Sequence, residues 1–196
     1  MDLKAQEKWN RIYAESEVGE YSVTKVLNDH EYLLPKGGVA LDLACGLGSD
    51  AVFLATNGLE VQAWDISDHI VKKINEFSAE NNLSISAEAR DITLNPPEEN
   101  SYDVITVAHY LDRDIVPALI ASLKPGGLIF YQTFLKEVTP QYSGPSNPDF
   151  RLGKNELLQL FADLSIVYYR EDALIGDLQH GFRNEAMLVA QKLSSG

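Results

Sequence analysis

A glycine-rich stretch and three separate aspartates are the residues whose types and spacing could do chemistry. Gly46 and Gly48 follow a short apolar run, and glycine there permits positive φ and lets a ligand approach the backbone closely. A helix that begins directly after them would point its free amides at the same space. The pattern Gly46-x-Gly48-x-x-Ala51 also fits the loose dinucleotide fingerprint, which an ordinary strand-to-helix turn can match as well.

Asp42 indicates which of the cofactors that fit such a loop is bound here. It lies near the end of an otherwise apolar run, where a carboxylate is costly unless something satisfies it. An anion there would repel the pyrophosphate of a dinucleotide. It would favour S-adenosylmethionine, which has no phosphate and carries an ammonium and a sulfonium. We therefore predict S-adenosylmethionine as the cofactor, and two alternatives stay open: a nicotinamide-dependent oxidoreductase and a non-catalytic cofactor-binding module.

Two further aspartates follow the next two predicted strands. Asp65 comes about 20 residues after the glycines, where an acidic side chain can accept hydrogen bonds from ribose hydroxyls. Ile66 would then lie against the adenine. Asp91 could accept from the adenine amino group, with Ile92 packed on the ring. Alone, Asp65 could be a helix cap and Asp91 a solvated loop residue, but the three carboxylates together favour a nucleoside site.

The elements that must position these residues alternate between strand and helix. The strands are predicted at 39–44, 59–64, 84–89, 102–108, 128–134, 166–170 and 186–191. The helices between them are predicted at 49–57, from the capping residue Ser67 to about 81, at 115–123 and at 156–162. Such alternation predicts a doubly wound α/β sheet with helices on both faces, in which ligands bind at the carboxyl ends of the strands.

Two segments outside this alternation are predicted to border the site within a single domain, 1–196. The first 34 residues are predicted to form two helices, with Trp9, Ile12 and Tyr13 on one face of the first and Ser22 capping the second. The proline-containing segment 136–153 is long for a connection, which is typical of a lid. We expect this segment to shape the substrate site.

Composition argues against several classes of partner and site. Apolar residues make up 45% of the chain, and no apolar run approaches the roughly 20 residues that cross a bilayer. A net charge of −13 argues against nucleic acid and acidic membranes as partners. The chain has one cysteine and four scattered histidines, so we predict no metal site. We expect a cytoplasmic protein that is a monomer or a weak homodimer.

The ordered series of motifs resembles the class I S-adenosylmethionine-dependent methyltransferases. The series is Leu41 to Gly48, Asp65, Asp91-Ile92, Tyr102 to Ile105, and Leu123 to Gly127. The resemblance implies a Rossmann-like sheet of seven strands whose last strand is antiparallel and lies between strands 5 and 6. The cofactor-binding residues that it implies are Asp42, Ala44, Gly46, Gly48, Asp65, Ile66, Asp91, Ile92, Ala108 and His109.

Three shorter stretches resemble a narrower group, the small bacterial methyltransferases related to tellurite-resistance and thiopurine methyltransferases. They are Lys8 to Tyr13, Tyr110 to Arg113, and Gly144 to Pro148. This resemblance implies that the N-terminal helix closes over the cofactor, with Trp9 and Tyr13 contributing to the lid. The alternative is that both aromatic residues only pack the helix.

Methyl transfer from a sulfonium is an in-line displacement, which the protein assists by binding and orientation. Topology places His109 and Tyr110 nearest the transferred methyl, and Arg113 could meet an anionic substrate. Further candidates for the mouth of the site are Tyr142, Arg151 and Arg183. Alternatively His109 only shapes the pocket, Arg113 pairs with Asp112 or Asp114, and Tyr142 packs. The predicted acceptor is a small molecule, with thiols and chalcogen compounds as the first candidates. A thiolate or selenolate can react without a general base, whereas an oxygen or nitrogen nucleophile usually needs its proton removed.

Overall fold

Seven strands form one sheet in the computed structural model, which describes residues 2–194. The strands are β1 (Val39–Leu43), β2 (Glu60–Asp65), β3 (Ile85–Ala89), β4 (Tyr102–Ala108), β5 (Leu123–Phe134), β6 (Ser165–Glu171) and β7 (Glu185–Gln191). Their order across the sheet is β3-β2-β1-β4-β5-β7-β6. Only β7 runs antiparallel to its neighbours, β5 and β6. The predicted seven-stranded sheet with an antiparallel last strand is therefore confirmed.

Helices cover both faces of the sheet. They are α1 (Leu3–Ile12), α2 (Lys25–Asp29), α3 (Ser49–Thr56), α4 (Asp68–Asn81), α5 (Val116–Ser122) and α6 (Glu156–Leu160), with 3-10 turns at Glu31–Leu33 and Pro148–Phe150. The apolar side chains of α2, α3 and α4 join one buried cluster, and those of α5 and α6 join another. Neighbouring residues of β1 enter different clusters, Ala40 the first and Leu41 the second, as in a strand that is covered on both sides.

Local capping signals set several helix ends. Ser67 caps α4 by accepting a hydrogen bond from the Ile70 amide, as predicted, and Gly58 follows α3 with a φ of 90°. The prediction that Ser22 caps the second helix is wrong, because α2 begins at Lys25 with Thr24 at its N-cap. The Thr24 amide and hydroxyl both donate to Asp50, which fixes the chain at that point.

The N-terminal helix buries less than its sequence pattern predicts. α1 has no buried residue of its own, and Ile12 is 47% exposed. The face on which Trp9, Ile12 and Tyr13 were predicted to lie is therefore largely exposed, since Trp9 is 37% exposed as well. The helix lies across strand ends instead of packing on the broad face of the sheet, so only Tyr13, directly after it, becomes buried.

Strand β5 begins earlier than predicted, at Leu123, and it includes the Lys124–Gly127 stretch, which lies between the helix predicted at 115–123 and the strand predicted at 128–134. The register explains this difference, since Tyr102 pairs with Leu123 but Val104 pairs with Leu128. The residues between them form a bulge. A Cβ atom on Gly127 would lie 3.0 Å from the Tyr102 carbonyl oxygen, so glycine allows this close approach. Within residues 2–194, no helix is long and apolar enough to cross a membrane.

Candidate functional site

The turn after β1 combines three left-handed residues. Ala44, Gly46 and Gly48 have φ values of 56°, 50° and 73°, which confirms the positive φ predicted for the two glycines. The Cys45 amide donates to the Trp64 carbonyl at the end of β2, so the turn is tied to the neighbouring strand. The left-handed Ala44 is a strained residue that the sequence did not predict. This backbone places the turn at the carboxyl ends of β1 and β2.

Two carboxylates are buried together beneath this turn. Asp42 is 1% exposed, and its Oδ2 atom makes no hydrogen bond with any residue of the described chain. Asp50, in the first turn of α3, accepts from the Thr24 amide at 2.8 Å and from the Thr24 hydroxyl at 2.6 Å. Burial and the proximity of Asp50 raise the pKa of Asp42 well above its ordinary value. A cation bound at the turn would offset the repulsion between these two buried carboxylates.

Asp65 joins the turn to the next helix. Its Oδ2 accepts from the Gly46 amide at 3.0 Å, and its Oδ1 accepts from the Ser67 amide at 2.9 Å. Burial raises the pKa of Asp65, although these amides act in the opposite direction. The alternative that Asp65 is merely the cap of α4 is wrong, because Ser67 fills that position. Asp65 therefore determines where the glycine turn lies.

Asp91 lies at the end of β3 and is 7% exposed, so the alternative of a solvated loop residue is wrong. The Thr93 hydroxyl donates to its Oδ1 at 2.6 Å, and the Asp2 amide donates to its Oδ2 at 3.0 Å. The Thr93 hydrogen bond lowers the pKa of Asp91 despite partial burial. Ile92 is buried in the apolar core, whereas Ile66 is only partly buried.

The N-terminal helix lies over the same strand ends. Asn10 accepts from the Ser67 hydroxyl at 2.6 Å and donates to Asp68 at 2.7 Å. Tyr13 is 8% exposed, and its hydroxyl lies 3.2 Å from the position that a Cβ on Gly46 would occupy. Trp9 stacks on Tyr13 at 5.4 Å and is 37% exposed. The structure thus brings Tyr13 to the glycine turn and leaves Trp9 at its outer side.

His109 follows β4 in a left-handed conformation, with a φ of 53°. Its Nε2 lies 3.1 Å from Glu185 Oε2, and its ring stacks on Phe134 at 4.8 Å. The His109 side chain is 44% exposed, and its partial desolvation lowers the pKa, but the hydrogen bond and charge of Glu185 outweigh this effect and raise the pKa. Ala108, directly before it, is partly buried.

Glu185 was not among the residues predicted from sequence. It is 76 residues away from His109, and the antiparallel β5–β7 pairing brings it there by placing it opposite Phe134. The signal that could have found it is a carboxylate directly before the last apolar strand.

Tyr110 and Arg113, the other predicted catalytic residues, have different surroundings. The Tyr110 carbonyl accepts from the Tyr131 hydroxyl at 2.8 Å, and burial raises the pKa of the Tyr110 phenol. Arg113 makes a two-point ion pair with Glu156, at 2.6 and 3.1 Å, so the alternative of pairing with Asp112 or Asp114 is wrong. The chain folds α6 against this arginine, which no local pattern indicated.

Arg113 also holds the segment 136–153, called the insert below. Its guanidinium donates to the carbonyls of Asp149 and Arg151. Within the insert, Arg151 lies over the Tyr142 ring at 5.5 Å, and Tyr142 meets Phe134 edge-on at 5.9 Å. The insert therefore reaches the His109 ring through Phe134.

Arg183, the last candidate for the mouth of the site, binds its own loop. It donates to four backbone carbonyls, those of Asp172, Ala173, Asp177 and His180.

Burial raises the pKa of the Cys45 thiol, which keeps it protonated. Residues 2–194 contain no group of three or more His, Cys, Asp or Glu side chains that could hold a metal ion.

The sequence and the fold are similar to those of known proteins. Residues 6–188 match the sequence model of a family described as Tellurite resistance protein TehB. Over 139 residues the chain is 30% identical to a Haemophilus influenzae (strain ATCC 51907 / DSM 11121 / KW20 / Rd) protein named "Probable S-adenosyl-L-methionine-dependent methyltransferase TehB". That alignment covers 67% of this chain and 48% of the relative, so the chain spans about half the length of this relative.

Solved structures share the fold. The crystal structure of TehB from Haemophilus influenzae has a TM-score of 0.69 at 24% identity, covering 95% of this chain and 66% of that chain. Geranyl diphosphate C-methyltransferase from Streptomyces coelicolor A3(2), in complex with Mg²⁺, geranyl diphosphate and S-adenosyl-L-homocysteine, has a TM-score of 0.71 at 15% identity. It covers 97% of this chain and 98% of that chain. These likenesses show the seven-stranded fold and the position of β7.

Proposed function

Because the chain belongs to the tellurite resistance protein TehB family, we propose that it binds S-adenosylmethionine and transfers the methyl group to a small-molecule acceptor. The observation that carries this proposal is the buried Asp42 oxygen without a partner, directly beneath the glycine turn. A cofactor with an ammonium and no phosphate fits such an acidic site. The pyrophosphate of a nicotinamide dinucleotide would instead be repelled by Asp42, Asp50 and Asp65.

The family match confirms the predicted membership in the class I methyltransferases and their tellurite-resistance group. The name of the Haemophilus influenzae relative supports methyl transfer as the activity. The S-adenosyl-L-homocysteine complex of the Streptomyces coelicolor structure supports the choice of cofactor. For the acceptor, thiols and chalcogen compounds remain our first candidates.

Residues at the ends of different strands would bind different parts of the cofactor. Asp42 faces the ammonium, and the backbone of Ala44, Gly46 and Gly48 forms the floor beneath the methionine portion. Asp65 uses one oxygen for each loop amide, and because a carboxylate offers about four acceptor sites, it can also accept from ribose hydroxyls. Asp91, Ile66 and Ile92 lie on the adenine side. The bound cofactor supplies an electrophilic methyl carbon.

The acceptor side lies beyond β4 and β5. His109 and Tyr110 border the expected position of the methyl, together with Ala108. His109 can remove a proton from the acceptor, and Tyr110 keeps its phenolic proton and can donate a hydrogen bond. Arg113 is committed to Glu156 and the insert, so we assign it to positioning the insert instead of binding an anionic substrate directly.

Calorimetric titration of the purified protein with S-adenosylmethionine, S-adenosylhomocysteine and NAD tests the proposed cofactor. We expect saturable binding of both sulfur cofactors and none of NAD. Methyl transfer is then followed with labelled S-adenosylmethionine across thiols, selenols and chalcogen oxyanions. Binding of NAD alone would replace this proposal with the oxidoreductase. Binding of S-adenosylmethionine without turnover of any acceptor would favour the non-catalytic module.

We further propose that α1 is a lid on the cofactor, held closed by Asn10. Asn10→Ala removes the hydrogen bonds to Ser67 and Asp68 without touching the cofactor residues. At about 1 kcal/mol for such bonds, we expect cofactor affinity to fall about fivefold and dissociation to accelerate equally. Stopped-flow displacement measures the rate, with the exposed Glu7→Ala on the same helix as control. Equal rates in both variants and the wild type would contradict the lid.

A further inference from the structure

The surroundings of His109 hold its ring in one orientation. The His109 amide donates to the Gln132 carbonyl at 2.8 Å, and the ring is stacked on Phe134 with an angle of 26° between the planes. A φ of 53° is unfavourable for a residue with a Cβ, and such backbone strain is concentrated at functional sites. The fold therefore maintains a costly backbone conformation that presents this imidazole at the end of β4.

Glu185 is itself oriented by a neighbour. Gln132 is buried, and its Oε1 accepts from the Val26 amide at 2.8 Å. A backbone amide only donates, so this contact fixes which end of the Gln132 amide is oxygen. The other end, Nε2, must then donate, and it lies 2.7 Å from Glu185 Oε2. A chain of hydrogen bonds thus runs from α2 through Gln132 to Glu185 and His109.

We propose that Glu185 is a positioning residue that holds the Nε2 proton of His109, so that Nδ1 is the nitrogen that takes a proton from the methyl acceptor. Glu185 Oε2 accepts from Gln132 and from His109, which leaves the neutral imidazole in one tautomer. His109 Nδ1 makes no hydrogen bond within residues 2–194. Glu185 would orient the base, His109, as the third residue of a catalytic triad orients the histidine that activates the nucleophile.

The proton balance is simple. An acceptor that arrives protonated, such as a thiol, loses its proton to His109 Nδ1 as its lone pair bonds to the methyl carbon and the methyl–sulfur bond breaks, and the imidazolium that forms is stabilised by the Glu185 carboxylate. The cofactor leaves as a neutral thioether, and the proton then passes to solvent. This inference rests on the proposed methyl transfer, but the placement of the imidazole proton is testable without any substrate.

Charged groups face His109 from two other elements. Desolvation lowers the pKa of His109, while the hydrogen bond and charge of Glu185 at the start of β7 raise it and Asp50 in α3 adds to the rise. The charge of Glu185 also contributes to the raised pKa of Tyr142, in the insert. Because Glu185 is the nearest of these charges, its removal is expected to lower the pKa of His109. The acidic limb of kcat/KM, set by the neutral imidazole, should then move to lower pH.

The experiment compares Glu185→Gln with the wild-type protein by nitrogen-15 NMR of the histidine rings in the cofactor-free state. A His109→Asn variant assigns the signals, and Glu60→Gln, an exposed charge at the start of β2, is the charge-matched control. We expect a proton on Nε2 in the neutral wild-type ring. In Glu185→Gln, we expect titration at lower pH and kcat/KM reduced about 10- to 100-fold, at or below the lower end of the roughly 100- to 10,000-fold that a general base contributes, because the base itself is still present.

A second variant separates charge from structure. In the double variant Gln132→Glu with Glu185→Gln, the residue at position 132 still accepts from the Val26 amide. In the wild type Glu185 Oε2 accepts from both Gln132 and His109, so an amide at position 185 must divide these contacts: its nitrogen donates to the new carboxylate at position 132 and its oxygen accepts from His109. The negative charge then lies one residue away from the imidazole. We expect the melting temperature to recover towards wild type while the His109 titration stays at lower pH than in the wild type.

Three results would overturn the role of Glu185. Two of them are an unchanged His109 titration in Glu185→Gln and a neutral wild-type ring protonated on Nδ1. The third is full recovery of the wild-type titration in the double variant, because a carboxylate in direct contact with His109 would then not be required. The expected ring behaviour in a protein that transfers no methyl group would support Glu185 as the positioning residue and contradict the proposed activity.

Discussion

Replacement of Asp65 with alanine is expected to reduce the affinity for S-adenosylmethionine by about 100-fold or more. The carboxylate holds the Gly46 amide at 3.0 Å and the Ser67 amide at 2.9 Å, and we propose that it also accepts from the ribose. Hydrogen bonds to charged groups contribute about 1.5–3 kcal/mol each, so the loss of two bonds to the ribose hydroxyls accounts for this fall in affinity. Calorimetric titration measures the change.

The control for this variant lies on the same strand. Glu60→Ala, at the exposed start of β2, removes an equal charge far from the turn and should bind the cofactor as the wild type does. Asp65→Ala also leaves two amides without their acceptor, so its melting temperature should fall, and binding is compared well below it. Wild-type affinity in a folded Asp65→Ala protein would mean that the cofactor does not lie on this strand end.

Asp42→Asn is expected to weaken cofactor binding about 10- to 100-fold while it makes the free protein less sensitive to rising pH. The affinity is lost because a neutral amide cannot pair with the ammonium, whose charge-assisted hydrogen bond contributes about 1.5–3 kcal/mol. The pH effect arises because the Asp42 carboxylate is buried beside Asp50. Both readouts follow from one buried carboxylate.

The sign of the pH effect follows from linkage. Burial raises the pKa of Asp42 in the folded state, whereas in the unfolded chain it titrates near its ordinary value of about 4. Between these two pKa values the folded protein retains a proton that the unfolded chain has lost, so wild-type stability falls as pH rises. Below the unfolded pKa both states are protonated, and the penalty disappears.

Denaturant unfolding between pH 4 and 8, without cofactor, measures this difference. The wild type should lose free energy of unfolding relative to Asp42→Asn as pH rises, and saturating S-adenosylmethionine should remove much of the wild-type penalty. Parallel stability curves together with an unchanged cofactor affinity would show that Asp42 neither carries a buried charge cost nor faces the ammonium.

The sequence by itself determined the order of elements and the residues at the strand ends. Apolar runs of strand length alternate with amphipathic helices, and Gly46, Gly48 and the Ser67 cap act over a few residues, so local physics is sufficient to predict them. Asp42, Asp65 and Asp91 can be grouped from the order of the predicted strands, because parallel strands bring their carboxyl ends to one edge of the sheet.

Only the tertiary structure decided how these residues are paired. The partner of Arg113 is Glu156, 43 residues away, and not either neighbouring aspartate. Glu185 meets His109 because β7 enters antiparallel beside β5. Thr24 rather than Ser22 lies at the N-cap position of α2, where its amide and hydroxyl donate to Asp50 instead of its side chain capping the helix. Partners that are distant in sequence depend on strand order, register and burial, and no spacing along the chain encodes which distant carboxylate a given side chain will meet.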